Sequence, residues 1–320
     1  MSDRKVNWGV LSCANIARDR CVPAMLQATN THLTAVAGKQ EAKREAFKQF
    51  NPDHLYESYE DLLADPDVEA IYLPLPNFLH MEWAIKAMDA GKHVLCEKPL
   101  GMNAAQVQAM IDAAQRNNVI LAEAFSYLHG DVVRKSKEIV ASGALGKLKH
   151  IDVRYAFNGV TPDDIRLNRY TGGGVLYDLG CYCLSYIREI YGEEPQDINV
   201  VSGVGTETLV EEHAMATMKF PGGKTAAFYA AFDSFTDSVR TLVGEEGVLM
   251  IPARYHEFGI ITMTLTDKDG KHQIPVDCHN HYITQFQEFS QCIIDGTKPK
   301  ISLDFSLDNA KALDRIIGYA

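Results

Sequence analysis

Apolar side chains along the first part of this chain gather in short runs, and amphipathic stretches long enough for helices stand between them. Residues 6–11 form one run, broken only by Asn7, which ends in the small-residue cluster Ser12, Cys13 and Ala14 before helix-like sequence begins. That order reads as strand, tight turn, helix. Residues 33–37 make a second strand, and 41–50 carry the charge pattern of a surface helix. The run AIYLPL, 70–75, is a third buried strand in which Pro74 marks the end or an irregularity. Residues 80–90 form an amphipathic helix closed by Gly91, 93–96 a strand ending in Glu97-Lys98-Pro99, 104–116 a helix and 119–122 a further strand. Strands alternating with helices at this spacing predict a doubly wound parallel sheet, a Rossmann domain, over residues 1–124.

After a helix over 131–142, closed by Gly143, the pattern changes. Residues 147–157, 197–204, 213–220, 225–232, 239–243 and 260–266 read as strands with few helices between them, and Pro221-Gly222-Gly223 joins two of them as a hairpin. This predicts an α+β domain over 125–320 with a large, mostly antiparallel sheet. Helices near 177–191 and 282–295 are expected to cover one of its faces. The segments ATMKF and TAAFYAAF are expected to put apolar side chains on the other face, left open for a partner subunit in a homodimer or homotetramer. The last stretch, SLDNAKALDRIIGYA, reads as a helix with a few further residues expected after it.

Composition narrows the classes. A chain of 320 residues exceeds the roughly 150 of a typical domain, so two domains are the default. With 46% hydrophobic and 23% charged residues it is ordinary globular sequence, and its net charge of -11 opposes binding to phosphate backbones, so no nucleic-acid partner is expected. Charge returns at Arg18, too early for a secretory hydrophobic region, and no stretch has the length of a membrane span. The seven cysteines have no framework spacing, which points to reduced thiols and a cytoplasmic address. Cys181 and Cys183 with His279 and His281 could be imagined around zinc, but both cysteines sit in an apolar run without a CxxC pair, so buried thiols and no metal site are expected.

The first strand-to-helix turn is where a Rossmann domain holds a pyrophosphate, on helix N-terminal amides that glycines let the ligand approach. Here Ser12, Ala14 and Ala17 replace the glycines of GxGxxG, with Cys13, Asn15 and Ile16 between them. Such small residues suit a dinucleotide turn and equally suit close packing. An acidic residue after the second strand would bind the ribose hydroxyl of NAD. The chain instead offers Gly38-Lys39-Gln40, and a cation there favours NADP over NAD, unless Lys39 is a solvated residue at a helix start.

Four segments recur in a known order: WGVLSCANIA at the first turn, YLPLPNFLH after a middle strand, HVLCEKP, and GGGVLYDLGCYCLSY in the second half. Together they resemble the glucose-fructose oxidoreductase, inositol dehydrogenase and rhizopine-catabolism family (Gfo/Idh/MocA), in particular its dihydrodiol dehydrogenase and NADP-dependent sugar dehydrogenase branch. The resemblance implies a dinucleotide lying across the edge of the first sheet, with Pro76, Asn77 and His80 near the nicotinamide ribose, Glu97 among the cofactor-binding residues and Lys98 at the reacting oxygen. It also implies that Asp178 and Tyr182, four apart and so on one helix face, project toward the same site. Many relatives have histidine where this chain has Tyr182. A carbinol loses hydride readily only as its hydroxyl proton leaves, so Tyr182 is the expected acid–base, Lys98 the cation favouring its phenolate, and Asp178 an orienting carboxylate or a counter-charge. His80 equally suits a cap for its own helix. Tyr127, His129, Tyr155, Arg166 and Asn168 are cleft candidates by position only, and Asp163 and Asp164 suit a helix cap. The expected function is hydride transfer between NADP or NAD and a sugar, polyol or cyclic diol. The alternatives are redox-neutral, NAD-dependent glycoside processing and nucleotide sensing without catalysis.

Overall fold

The computed structural model describes residues 4–235, 238–252 and 254–318. The chain forms two compact units, one from residues up to His129 together with Asn280–Leu307, the other from Gly130–His279 together with the segment from Asp308 onward.

Six strands build the first unit's sheet: β1 Val6–Leu11, β2 Thr31–Ala37, β3 His54–Tyr56, β4 Ala70–Leu73, β5 His93–Cys96 and β6 Leu121–Glu123. They pair in the order β3-β2-β1-β4-β5-β6, and every pairing is parallel. This is the dinucleotide-fold order, in which the chain reverses its direction of winding between β1 and β4 and ligands bind beyond the carboxyl ends of the strands there. β4 stops at Leu73, before Pro74, because proline has no N–H for the ladder. The 41–50 segment is one α-helical turn, Glu41–Glu45, tightening to a 3-10 turn, Ala46–Phe50, that buries Phe47.

The helix expected over 282–295 is His281–Asp295, but it packs in the first unit and does not cover the antiparallel sheet. The reason is aromatic. Trp8 of β1 meets Phe286 edge-on at 5.2 Å and Phe289 at 5.4 Å, Tyr72 of β4 meets Phe286 at 5.6 Å, and the Trp8 indole N–H donates to Ser290 Oγ at 3.0 Å. Burying each phenylalanine stabilises the unit by about 1.5–3 kcal/mol. Asn280 caps the helix by accepting from Tyr282 N–H, and Gly296, with φ 67°, ends it.

The second unit carries eight strands: β7 Leu148–Ala156, β8 Asp197–Val204, β9 Glu211–Lys219, β10 Thr225–Ala231, β11 Val239–Gly244, β12 Gly247–Ile251, β13 Gly259–Asp267 and β14 Gly270–Cys278. Their order is β14-β13-β12-β11-β7-β10-β9-β8, antiparallel throughout except for the β7–β10 pair. Pro221-Gly222-Gly223 does join β9 to β10. The helix Cys181–Tyr191 packs on β7 and β10 and buries residues 181–188.

The two segments ATMKF and TAAFYAAF behave differently from the expectation. Met218, Phe220, Ala226, Phe228 and Ala230 are buried; by strand alternation the open face presents Met215, Thr217, Ala227 and Tyr229. Pairing extends that face to Val201, Asp152, Arg154, Thr241 and Met250, so it mixes apolar and charged groups.

All seven cysteines are free, buried thiols. Among the described residues no three His, Cys, Asp or Glu side chains gather as metal ligands, and no helix is long and apolar enough to cross a membrane. The final helix runs Leu303–Ile317, and residues 319–320 of its expected continuation lie outside the described residues.

Candidate active site

In the first unit the candidate residues fall at the carboxyl ends of neighbouring strands, where the topology puts a ligand. After β1, Ser12 stands where the first glycine of a GxGxxG turn would and takes a positive φ of 147°. Its side chain hydrogen-bonds with Tyr59. Cys13 is buried, and burial pushes its thiol up to about 11, so it is a neutral packing group rather than a nucleophile. Ala14 and Ile16 are half-buried and Asn15 is exposed, leading through a π-helical turn, Ala17–Cys21, into the helix Val22–Gln27.

Gly38, after β2, packs directly on this turn: a Cβ there would overlap the Cys13 sulfur. The two turns can approach only because residue 38 has no side chain. Lys39 is exposed, with its ammonium 5.3 Å from the Tyr59 ring centre. A second cation, unnoticed in the sequence, lies close by. Arg44 is buried and donates to the Gly38 carbonyl at 2.7 Å and to Glu57 at 2.9 Å. Its charge and that of Lys43 are felt at Cys13. The turn, the missing Cβ and the cations at the end of β2 fit a dinucleotide with an additional phosphate.

After β5, the Glu97-Lys98-Pro99 turn is tied down on both sides of Lys98. Glu97 N–H donates to Leu73 O at 3.1 Å, and the Tyr72 hydroxyl donates to Glu97 Oε1 at 2.6 Å. Cys21 Sγ in turn donates to that hydroxyl at 3.0 Å, so the carboxylate is held by a buried chain of polar groups. Leu100 N–H donates to the buried Glu123 at 2.9 Å. Lys98 itself is half-buried. Pro76 and Asn77 are half-buried where a one-turn helix, Asn77–Leu79, begins.

His80 does not cap its own helix, whose N-cap residue is Leu79 and makes no side-chain cap hydrogen bond. It is wholly buried, with Nδ1 2.8 Å from Pro99 O and Nε2 2.7 Å from Leu75 O, so both nitrogens face protein carbonyls. Burial lowers its pKa, with the carbonyls opposing and the Lys98 charge adding to the shift. Tyr127 and His129 lie in the turn Ser126–His129; burial, with Lys300 and His281 nearby, pushes His129 down to about 3, which leaves a neutral ring unsuited to acid–base work.

The second unit holds the other candidates. Asp178 lies in a π-helical turn, Leu176–Gly180, which runs into the helix Cys181–Tyr191 carrying Tyr182. The simple four-residue helical spacing is therefore interrupted, a local widening frequent at functional sites. Tyr155 links the two. Its ring meets Tyr182 edge-on at 5.9 Å, and its phenol pKa is raised by burial first and then by the Asp178 carboxylate. Tyr255, at 5.0 Å, and His256, at 5.3 Å, complete an aromatic wall around the Tyr182 ring.

Asp178 already has a counter-charge in its own unit. Arg166 Nε donates to Asp178 Oδ2 at 2.7 Å, and its Nη1 lies 3.1 Å from Asp164 Oδ2. Asp164 and Asn168 also cap the short turns that carry this arginine. The glycine run makes the arrangement possible, because a Cβ at Gly173 would lie 2.5 Å from Arg166 O, and Gly174 N–H donates to that same oxygen at 2.8 Å. A charge-assisted pair of this kind fixes the carboxylate's direction as well as its charge.

Comparison with known proteins identifies the family. Residues 6–125 match the GFO/IDH/MocA model described as an oxidoreductase family, NAD-binding Rossmann fold, and residues 133–250 match the GFO/IDH/MocA C-terminal domain. The chain is 32% identical to a dTDP-3,4-didehydro-2,6-dideoxy-alpha-D-glucose 3-reductase of Streptomyces violaceoruber, over 79% of this chain and 74% of that one. It is 28% identical to a trans-1,2-dihydrobenzene-1,2-diol dehydrogenase of Xenopus tropicalis, over 97% and 96%. Among solved structures it superposes with a TM-score of 0.95 on a 3-ketoreductase from Actinomadura kijaniata in complex with NADP and TDP-benzene, at 26% identity and covering 99% and 98% of the two chains. The chain therefore belongs to the GFO/IDH/MocA family of NAD(P)-dependent oxidoreductases.

Proposed function

We propose that the protein transfers hydride between NADP and a ring or chain carbon bearing a hydroxyl, in a sugar, polyol or cyclic diol, with Lys98 and Tyr182 at the reacting oxygen. The observation that carries this reading is the way the fold treats Lys98: hydrogen bonds on either side fix the turn that presents it at the carboxyl edge of the dinucleotide-type sheet. The relatives support the substrate class, being named for a sugar ketone and a cyclic diol. Lys39 and Arg44, with no acidic residue directly after β2, support NADP over NAD.

The nicotinamide, when bound, supplies or accepts the hydride. Tyr182 moves the proton: in reduction its hydroxyl donates to the carbonyl oxygen, and in oxidation its phenolate takes the proton of the alcohol. The Lys98 ammonium stabilises negative charge developing on that oxygen and favours the phenolate. Asp178, directed by Arg166, accepts a hydrogen bond from a neighbouring substrate hydroxyl.

A panel of aldoses, polyols and cyclic diols, each with NADP and with NAD and followed at the reduced-nicotinamide absorbance, tests the reading. Turnover of at least one class is expected, with NADP bound more tightly at physiological salt. Absence of turnover across the panel with both cofactors would reject the substrate class, and tighter binding of NAD would reject the role given to Lys39.

We further infer a homodimer or homotetramer formed through the open face of the second sheet. Val201, Met215 and Met250 are exposed on it beside Arg154 and Asp152, a mixture suited to a partly polar interface. Sedimentation at micromolar concentration should show no monomer; a single monomeric species would end this proposal.

A further inference from the structure

The placement of His80 points to a task that neither ligand binding nor helix capping describes. A carbonyl oxygen can only accept, so each of the two short contacts of this ring is a hydrogen bond only where the nitrogen carries a proton. A neutral ring donates to one carbonyl and a protonated ring to both, and in either state the ring fills the space between them. The carbonyls belong to different loops. Leu75 lies in the segment after β4, while Pro99 is the residue next to Lys98 after β5. The imidazole is thus a strut between two strand ends, set inside the protein where no solvent can replace its bonds. The Lys98 charge is felt at the ring, which places the strut electrostatically close to that ammonium.

We propose that His80 is a positioning residue for Lys98, setting the height of the Lys98-Pro99 turn above the sheet edge, and that it does not itself touch the nicotinamide ribose. This rests on the reading of Lys98 as a group at the reacting oxygen. Glu97 and Leu100 are anchored independently through Tyr72 and Glu123, so loss of the strut releases the middle of the turn and leaves its two ends in place. A displacement of about 1 Å at a catalytic group is enough to cost on the order of 100-fold in rate.

The test combines His80→Leu, which fills the space without a donor, His80→Gln, whose amide can still donate, and each of these with Lys98→Met. His80→Leu should lower kcat about 30- to 100-fold while changing KM for NADP less than about threefold, and His80→Gln should recover most of that loss. In the Lys98→Met background neither substitution should lower kcat further, because the group being positioned is gone. If the losses instead multiply, or KM for NADP rises while kcat holds, the strut is structural or His80 is a cofactor ligand, and the inference is overturned. If Lys98→Met alone keeps wild-type turnover, the reading of Lys98 fails first and the inference falls with it. Should His80→Leu not fold, His80→Asn, whose shorter amide cannot reach across both carbonyls, takes its place in the same cycle and decides between multiplied and absorbed losses.

Discussion

Lys98→Met is expected to lower kcat by about 100- to 1,000-fold, equivalent to about 3–4 kcal/mol of transition-state stabilisation, while NADP binding changes little. Methionine keeps the length of the side chain and removes its charge. The anchors of the turn run through Glu97, Pro99 and Leu100, so the variant should fold normally and keep its loop. Steady-state kinetics at the nicotinamide absorbance, with cofactor affinity measured separately by fluorescence titration, separate the two effects. Near-wild-type turnover with intact cofactor binding would remove Lys98 from the chemistry.

Tyr182→Phe is the companion prediction. Phenylalanine preserves the ring that packs against Tyr155, Tyr255 and His256 and deletes only the hydroxyl. Loss of a general acid–base commonly costs about 100- to 10,000-fold, and kcat is expected to fall within that span. The direction with pH follows from the role. In oxidation the active form is the phenolate, so the wild-type rate rises with pH to a plateau as the phenol ionises, and Tyr182→Phe should lose that rise. A variant that keeps both the rate and the pH profile would assign the proton transfer to another group. Tyr155 is a poor substitute, because burial and the Asp178 carboxylate both hold its phenol protonated.

Much of the fold was legible because its signals are local. The run 6–11 with its small-residue turn, the Gly91 stop and the Pro221-Gly222-Gly223 hairpin all fell where apolar period and turn chemistry put them. The strand Gly270–Cys278 was not read, since it is an edge strand whose first four residues are exposed, and Pro275 interrupts the short alternation of Ile274, Val276 and Cys278 that follows. The three-residue strand His54–Tyr56 is too short to carry a period at all. Amphipathic spacing identified the helix His281–Asp295 but could not say which sheet its apolar face would meet; Trp8, far away in sequence, decides that.

The candidate site divides in the same way. Turn residues such as Ser12, Gly38 and Glu97-Lys98-Pro99 have sequence signatures, because backbone geometry restricts what can stand there. Arg44, Tyr72, Glu123 and Arg166 have none, because each acts through a partner that is distant in sequence or is a backbone carbonyl brought near by folding. The glycines of the 172–174 run were legible as a motif, but their reason, room for Arg166 O against residue 173, appears only in three dimensions.

The return of His281–Asp295 to the first sheet also governs how this enzyme can be taken apart or recombined. Severing the chain after His129 would strip Trp8 and Tyr72 of their aromatic cover and leave a sticky stripe along the nucleotide-binding half. A functional exchange of cofactor modules with a relative therefore requires three crossovers, after His129, before Asn280 and after Leu307, so that the 280–307 segment travels with the residues it covers.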